Sequence, residues 1–200
     1  MTNLDRCPQI ILASSSETRR KMLRKYFKNI IIEKHSVDER KLKRKFKNLD
    51  PASLVKKLAK SKAESILSKH TNKLIISADQ ILVCENQILN KPVSLNEAFQ
   101  NLNFLVGKDH FLFSAIHVIN KNIFFYEELK YARLYFKEKS KNILKKYLNQ
   151  NKDTALSSVG SYKIEENNKY NFIDIKEGDL ETILGFPLKG FLEKFKSEVI

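Results

Sequence analysis

An α/β fold, a mixed twisted β-sheet flanked by helices, is what this 200-residue chain predicts. Three observations predict it. Short apolar runs that read as strands alternate with helically spaced apolar residues through the first hundred positions. Two long β-branched and aromatic stretches then lie close together in sequence, as locally paired strands do. Finally, an apolar run ends in an acid, as strands do at the ligand-binding edge of an open α/β sheet.

The elements follow in order. Gln9–Ala13 reads as a buried strand feeding a helix over Ser16–Lys28, whose Met22, Leu23, Tyr26 and Phe27 share one face. Ile30–Glu33 is a second strand, and the loop after it carries the acidic pair Asp38-Glu39 before a basic stretch. Asp50-Pro51 starts a helix, Asp as N-cap and Pro in the first turn. This helix runs to about Ser68 with Leu54, Leu58, Ala59, Ala63, Ile66 and Leu67 facing inward. Leu74–Ala78 is a third strand, interrupted at Asp79-Gln80 and resumed over Ile81–Cys84, with a turn at Glu85-Asn86. Ser94 with Glu97 forms a capping box for a helix to Leu105. His110–Ile119 and Ile123–Phe136 form a hairpin across Asn120–Asn122, and Ser140–Leu148 is a helix. Val159–Asn168 is irregular; a strand at Tyr170–Ile175, a turn at Glu177–Asp179 and a helix after Pro187 complete the chain. There is no internal repeat, and the elements suit one domain or two lobes around a cleft.

Composition narrows the class. Hydrophobic residues at 42% and charged residues at 30% are those of a globular protein large enough to fold unaided. Five Gly and four Pro argue against linkers. No apolar run approaches the roughly 20 residues that cross a bilayer, and Met1–Pro8 lacks a signal-peptide core. A cytoplasmic protein is expected, with Cys7 and Cys84 as unpaired thiols. The net charge of +14 comes mostly from scattered lysines. The run Lys41–Lys47 is suited to polyanions, but charge so diffuse specifies no partner, and nucleic acid is not expected as one.

The richest segment is Ile10–Leu23. A strand that turns through Ser14, Ser15 and Ser16 into a helix carrying Arg19 and Arg20 in its first turn makes an anion site. Free backbone N–H groups and the positive helix end point the same way, and arginines there run against the dipole unless an anion offsets them. Asp79, directly after an apolar strand, suits either a general base or a metal ligand. Lys91-Pro92 presents an ammonium on a stiffened backbone; Lys62 lies on the third helix; Asp38-Glu39 offers carboxylates to a cation. Gly160–Glu165 sets hydroxyl, amine and carboxylate groups beside a tight turn. Gly178-Asp179 and Gly185–Leu188 bound a loop before the last helix.

Together, in this order, these segments resemble the Maf family of nucleoside triphosphate pyrophosphatases over nearly the whole chain. The family's Leu-Ala-Ser-x-Ser-Pro-Arg-Arg is matched by Leu12–Arg19, its Asp-Glu by Asp38-Glu39, and its Leu-Ala-x-x-Lys-Ala by Leu58–Ala63. Its Ala-Asp-Thr or Ser-Asp-Gln and its Lys-Pro are matched by Ala78-Asp79-Gln80 and Lys91-Pro92, and its closing Gly-Asp and Gly-Leu-Pro-Leu by Gly178-Asp179 and Gly185–Leu188. The resemblance implies one domain over residues 1–200, with two lobes around a nucleotide-binding cleft. It implies hydrolysis between the α and β phosphates of non-standard or surplus nucleotides. The implied cofactor is a divalent cation, magnesium with manganese as the alternative, held by Glu39 and Asp79. Asp79 is then the base that activates water, with Glu39, Lys62 and Lys91 completing the catalytic set. Ser14, Ser16, Arg19 and Arg20 hold phosphate, and Thr18, Gln80 and Glu165 sit where base preference is set. Glu17 and Thr18 stand where the family has Pro and Arg. With Gln80 and Gly160-Ser161-Tyr162-Lys163, the chain is most similar to the branch acting on 7-methyl-GTP. Enzymes of the family are often homodimers, and the lack of a long apolar run makes a membrane partner unexpected. The rival reading is a nucleotide- or nucleic-acid-binding regulator of cell division with little catalysis.

Overall fold

The computed structural model describes residues 9–70, 72–121 and 125–199. Cys7 and, from the expected hairpin, Asn122, Ile123 and Phe124 lie outside them. The strands, in chain order, are β1 (Ile10–Leu12), β2 (Ile30–Ile32), β3 (Leu74–Cys84), β4 (Gln87–Leu89), β5 (Lys108–Ile119), β6 (Phe125–Phe136) and β7 (Ile173–Glu177). The helices are α1 (Glu17–Arg24), α2 (Glu39–Lys45), α3 (Pro51–Leu67), α4 (Leu95–Leu105), α5 (Lys141–Gln150), α6 (Lys152–Ser157), α7 (Asn167–Tyr170), α8 (Leu180–Ile183) and α9 (Lys189–Val199). The sheet order is β2-β1-β3-β5-β6-β7, with β4 on β3. It is mixed: β1 pairs in parallel with β2 and β3, whereas β3–β4 and β6–β7 are antiparallel. The expected fold class is therefore the one observed.

The chain divides into two compact units: Met1–Asp79 with Ser114–Lys130 and Leu184–Ile200, and Gln80–Phe113 with Tyr131–Ile183. In the first, alternation along β1 and β3 feeds two cores. Ile10, Leu12, Leu74, Ile76 and Ala78 pack against Met22 and Leu23 of α1 and Phe191 and Phe195 of α9. Ile11, Ala13 and Ile75 pack on the opposite side against Ala63 and Ile66 of α3. Burial on both faces is why these strands read as continuous apolar runs. In the second unit the core is aromatic. Phe136 stacks on Phe172 at 5.2 Å, Tyr162 meets Phe136 edge-on at 5.8 Å, and Tyr147 meets Phe172 at 5.1 Å. Burial pushes the phenols of Tyr147 and Tyr162 well above the usual range.

Several expectations are corrected. β3 is one strand through Asp79-Gln80, not two, because both polar side chains find partners. The acidic pair is not in a loop: Asp38 caps α2 by accepting from the Lys41 N–H at 3.0 Å, and Glu39 begins the helix. Helix α1 stops at Arg24 rather than Lys28, and Tyr26 is 52% exposed. Leu67 is only half-buried. The Glu97 carboxylate accepts from the Val93 N–H at 2.9 Å, one residue before the expected capping-box donor. Tyr170 closes α7, so β7 starts at Ile173. Helix α6 matches no sequence expectation, and α8 forms inside the segment expected to be a loop, capped by Asp179. Cys84 is buried and unpaired, and burial raises its thiol pKa.

Gly178 has φ +97°, and a Cβ there would lie 2.6 Å from the Ala132 Cβ and 2.7 Å from its Cα. Gly178→Ala combines backbone strain with a backbone clash and is expected to cost about 2 kcal/mol or more, read as a lower denaturation midpoint. His110 is buried, with Nε2 2.6 Å from the Tyr162 hydroxyl, and desolvation lowers its pKa to about 4. In the unfolded chain it titrates near 6.5. The unfolded state therefore binds the extra proton, and stability present above pH 6.5 is lost as pH falls toward 4, by about 3 kcal/mol. His110→Gln should flatten the fall in unfolding free energy between pH 7 and pH 4.

Candidate active site

The site starts from helix α3. Leu54, Val55, Leu58, Ala59, Ala63 and Ile66 form its buried stripe, and Lys62 lies within that stripe at 4% exposure. An ammonium removed from water needs compensation. Lys62 Nζ donates to Asp79 Oδ1 at 2.5 Å and lies 2.9 Å from Glu39 Oε1. Asp79 comes from β3, whose residue Ser77 donates to the Ala59 carbonyl at 2.6 Å and so pins the strand to α3. Glu39 comes from the first turn of α2. Three elements thus converge on one nitrogen.

Arg19 joins the cluster from α1. Ser16 caps that helix, its hydroxyl accepting from the Arg19 N–H at 3.3 Å, while the Ser14 hydroxyl accepts from the Ser16 N–H at 3.2 Å. The Arg19 guanidinium donates to the carbonyls of Ala78 (2.7 Å) and Gly185 (3.0 Å). Loss of water lowers its pKa, while the fields of Asp79 and Glu39 raise it; an arginine stays charged regardless. Two carboxylates and two cations therefore nearly cancel. Arg20 pairs with Glu17, at the position where the family has Pro. Thr18 is half-buried in the same first turn.

The remaining expected residues belong to the second compact unit. Gln80 donates its amide to the carbonyls of Thr182 and Ile183, both at 3.0 Å, tying β3 to α8. Lys91 is exposed beside the buried Pro92, and Glu165 is exposed in the 3-10 turn Ile164–Glu166. Asp179 caps α8 by accepting from the N–H and hydroxyl of Thr182, each at 2.7 Å. Sequence reasoning missed His35, whose Nε2 lies 3.6 Å from Glu39 Oε1. It also missed Ser65, which donates to the Lys62 carbonyl at 2.8 Å and accepts from the Ser36 N–H at 3.3 Å. No motif marks either. The Ala78 and Gly185 carbonyls that hold Arg19 carry no side-chain signal at all.

The donors suit a hard divalent cation. Asp79 Oδ2 is a buried carboxylate oxygen with no hydrogen-bond partner, and Glu39 supplies a second carboxylate. Magnesium is commonly bound through one or two carboxylates together with substrate phosphates, not by an all-protein cage. Among the described residues no group of three or more His, Cys, Asp or Glu side chains is gathered for a metal.

A serine-capped helix start bearing a fixed arginine, beside a charge-balanced cluster centred on the middle of β3, is a constellation suited to phosphate in an α/β protein. The chain belongs to the Maf family: the Maf-like protein pattern matches residues 9–198. It is 35% identical over 187 residues to the 7-methyl-GTP pyrophosphatase of Bartonella henselae, covering 94% of each chain. It is 32% identical over 189 residues to the nucleoside triphosphate pyrophosphatase of Nitrobacter winogradskyi, covering 94% of this chain and 93% of that one. A HAM1 protein from Coxiella burnetii aligns with it at a TM-score of 0.47 and 11% identity, over 95% of this chain and 97% of that chain. No helix among the described residues is long and apolar enough to cross a membrane.

Lys62 compensates Asp79 directly, so removing either partner strands a buried charge. Lys62→Met and Asp79→Asn are each expected to destabilise, and the double variant to cost less than the sum. A double-mutant cycle by chemical denaturation should give a coupling energy of about 2 kcal/mol or more.

Proposed function

We propose that this chain is a metal-dependent nucleoside triphosphate pyrophosphatase, splitting the bond between the α and β phosphates to leave the monophosphate and pyrophosphate. The observation that carries the reading is the Lys62 ammonium bridging Asp79 and Glu39 beside Arg19. It occurs in a chain about one-third identical to relatives named pyrophosphatases. In this reading Asp79 is the base that takes a proton from the attacking water. The water oxygen bonds to phosphorus, the anhydride bond breaks, and its electron pair leaves on the departing group.

Ser14, Ser16, Arg19 and Arg20 orient the phosphate chain at the start of α1, with Lys62 and Lys91 as further cations. Asp79 and Glu39 would hold a magnesium ion, or manganese in its place; when bound, it neutralises charge on the phosphate oxygens. The near-neutral protein cluster is the reason extra positive charge is needed, since a triphosphate brings several negative charges. Lys62 holds the two carboxylates in place before substrate arrives, which is preorganisation of the kind catalysis requires. The whole chain, residues 1–200, works here as one catalytic domain in the cytoplasm.

Thr18, Gln80 and Glu165 are proposed to set base preference, and 7-methyl-GTP is the proposed substrate. A carboxylate at 165 accepts hydrogen bonds only. It favours a base edge that offers donors, as guanine does, and a purine made cationic by methylation.

Asp79→Asn should lower kcat by about 10²–10⁴-fold while a non-hydrolysable triphosphate analogue still binds. The assay is a panel of 7-methyl-GTP, GTP, dTTP and UTP with magnesium. Pyrophosphate as first product is expected, and orthophosphate would contradict the bond assignment. Faster turnover of dTTP would remove the base assignment alone.

A further inference from the structure

Positive charge is densest along the segment that forms α2 and the first half of α3. Residues 38–61 carry nine of the chain's 37 basic residues but three of its 23 acidic ones. Those three acids are engaged: Asp38 and Asp50 cap α2 and α3, and Glu39 pairs with Lys62. Helix α2, Glu-Arg-Lys-Leu-Lys-Arg-Lys, has no buried residue, so core packing does not explain its sequence. It sets Arg40 against Arg44 and Lys41 against Lys45, one turn apart. Like charges so placed destabilise a helix by roughly 0.2–0.5 kcal/mol per pair, a strain that a bound polyanion would relieve.

Beside α2 lies a groove of about 290 Å³ lined by Lys56, Lys57 and Lys60 of α3 together with Leu49, Ser53 and Glu127. Lys56 is held by Glu127 at 2.7 Å, and Lys60 lies 3.7 Å from Glu64. The ammonium groups of Lys45 and Lys57 both stand 5.5 Å from the centre of the Phe46 ring. An aromatic ring is thus set among cations at the junction of the two helices.

We propose that this face binds single-stranded nucleic acid. The cations of α2 lie along the phosphate backbone, and the lysine groove receives one nucleotide. Positive grooves with an interleaved aromatic are how proteins hold single strands without reading sequence. An anionic membrane fits less well: a membrane-surface helix pairs its basic face with a broad apolar one, and α2 has Leu42 as its one apolar residue. None of these basic residues belongs to the proposed triphosphate site, so this surface stands or falls independently of the hydrolase reading.

The test is fluorescence anisotropy with a labelled oligouridylate of about 16 nucleotides, from about 50 to about 200 mM KCl. The wild-type chain should bind, with affinity falling steeply as salt rises. The triple variant Lys41→Gln, Arg44→Gln, Lys57→Gln should bind about tenfold more weakly, with a salt slope shallower by about 2 to 3. A control triple on α5, Lys141→Gln, Lys145→Gln, Lys146→Gln, removes the same charge elsewhere and should change affinity less than about twofold. Unchanged triphosphate turnover in both triples reports intact folding. Should the first triple fold poorly, Arg44→Gln alone should weaken binding in the same direction. Equal losses from the two triples, or no binding by wild type, would overturn the proposal. Binding to phosphatidylserine–phosphatidylcholine vesicles that the oligonucleotide cannot displace would also overturn it.

Discussion

A single ammonium buried between two carboxylates is the constraint on which the chemistry of the first unit depends. Taking a lysine out of water costs several kcal/mol unless the charge is met. Lys62 is met twice, by Asp79 from β3 and Glu39 from α2. The helix carrying it is anchored by the apolar residues on either side of it in the stripe. The strand carrying Asp79 is anchored by Ser77. Neither Lys62 nor Asp79, both buried, can move without leaving an uncompensated charge, whereas Glu39 is about one-third exposed. The site is therefore rigid for electrostatic reasons, and that rigidity is useful to a reaction in which the protein mainly positions and stabilises charge.

Arg19 is placed by contacts of its own. Its guanidinium is gripped by two backbone carbonyls, so its position does not depend on the carboxylates nearby. Asp79 and Glu39 supply field, and the carbonyls supply geometry. A fixed arginine at a helix start, with Ser14 and Ser16 ordering the turn before it, presents positive charge without a flexible search.

Much of the fold was legible in the sequence because its signals are local. Asp50-Pro51 begins α3 as cap chemistry requires, and Ser94 and Ser140 cap their helices likewise. The strands of the first unit read as apolar runs because both faces are buried. Helix α2 was not legible: its like charges and missing apolar stripe hide it, and its cap Asp38 read as a candidate ligand. The break expected at Asp79-Gln80 was wrong because tertiary partners, not local propensity, keep those residues in the strand. In the site, Asp79 was readable from its place at the end of an apolar run. Lys62 was readable only in part, as a charge inside a helical stripe of apolar residues; its partners lie 17 and 23 positions away in sequence. His35 and the carbonyls around Arg19 depend on three-dimensional convergence and leave no sequence pattern.

The most direct measurement is ¹⁵N NMR of the lysine side chains in the wild-type chain, in Glu39→Gln and in Asp79→Asn. A hydrogen-bonded ammonium buried between two acids should give a distinct, slowly exchanging Lys62 signal that shifts in each variant. A Lys62 signal indistinguishable from those of solvent-exposed lysines, and untouched by either substitution, would contradict the bridge and the chemistry built upon it.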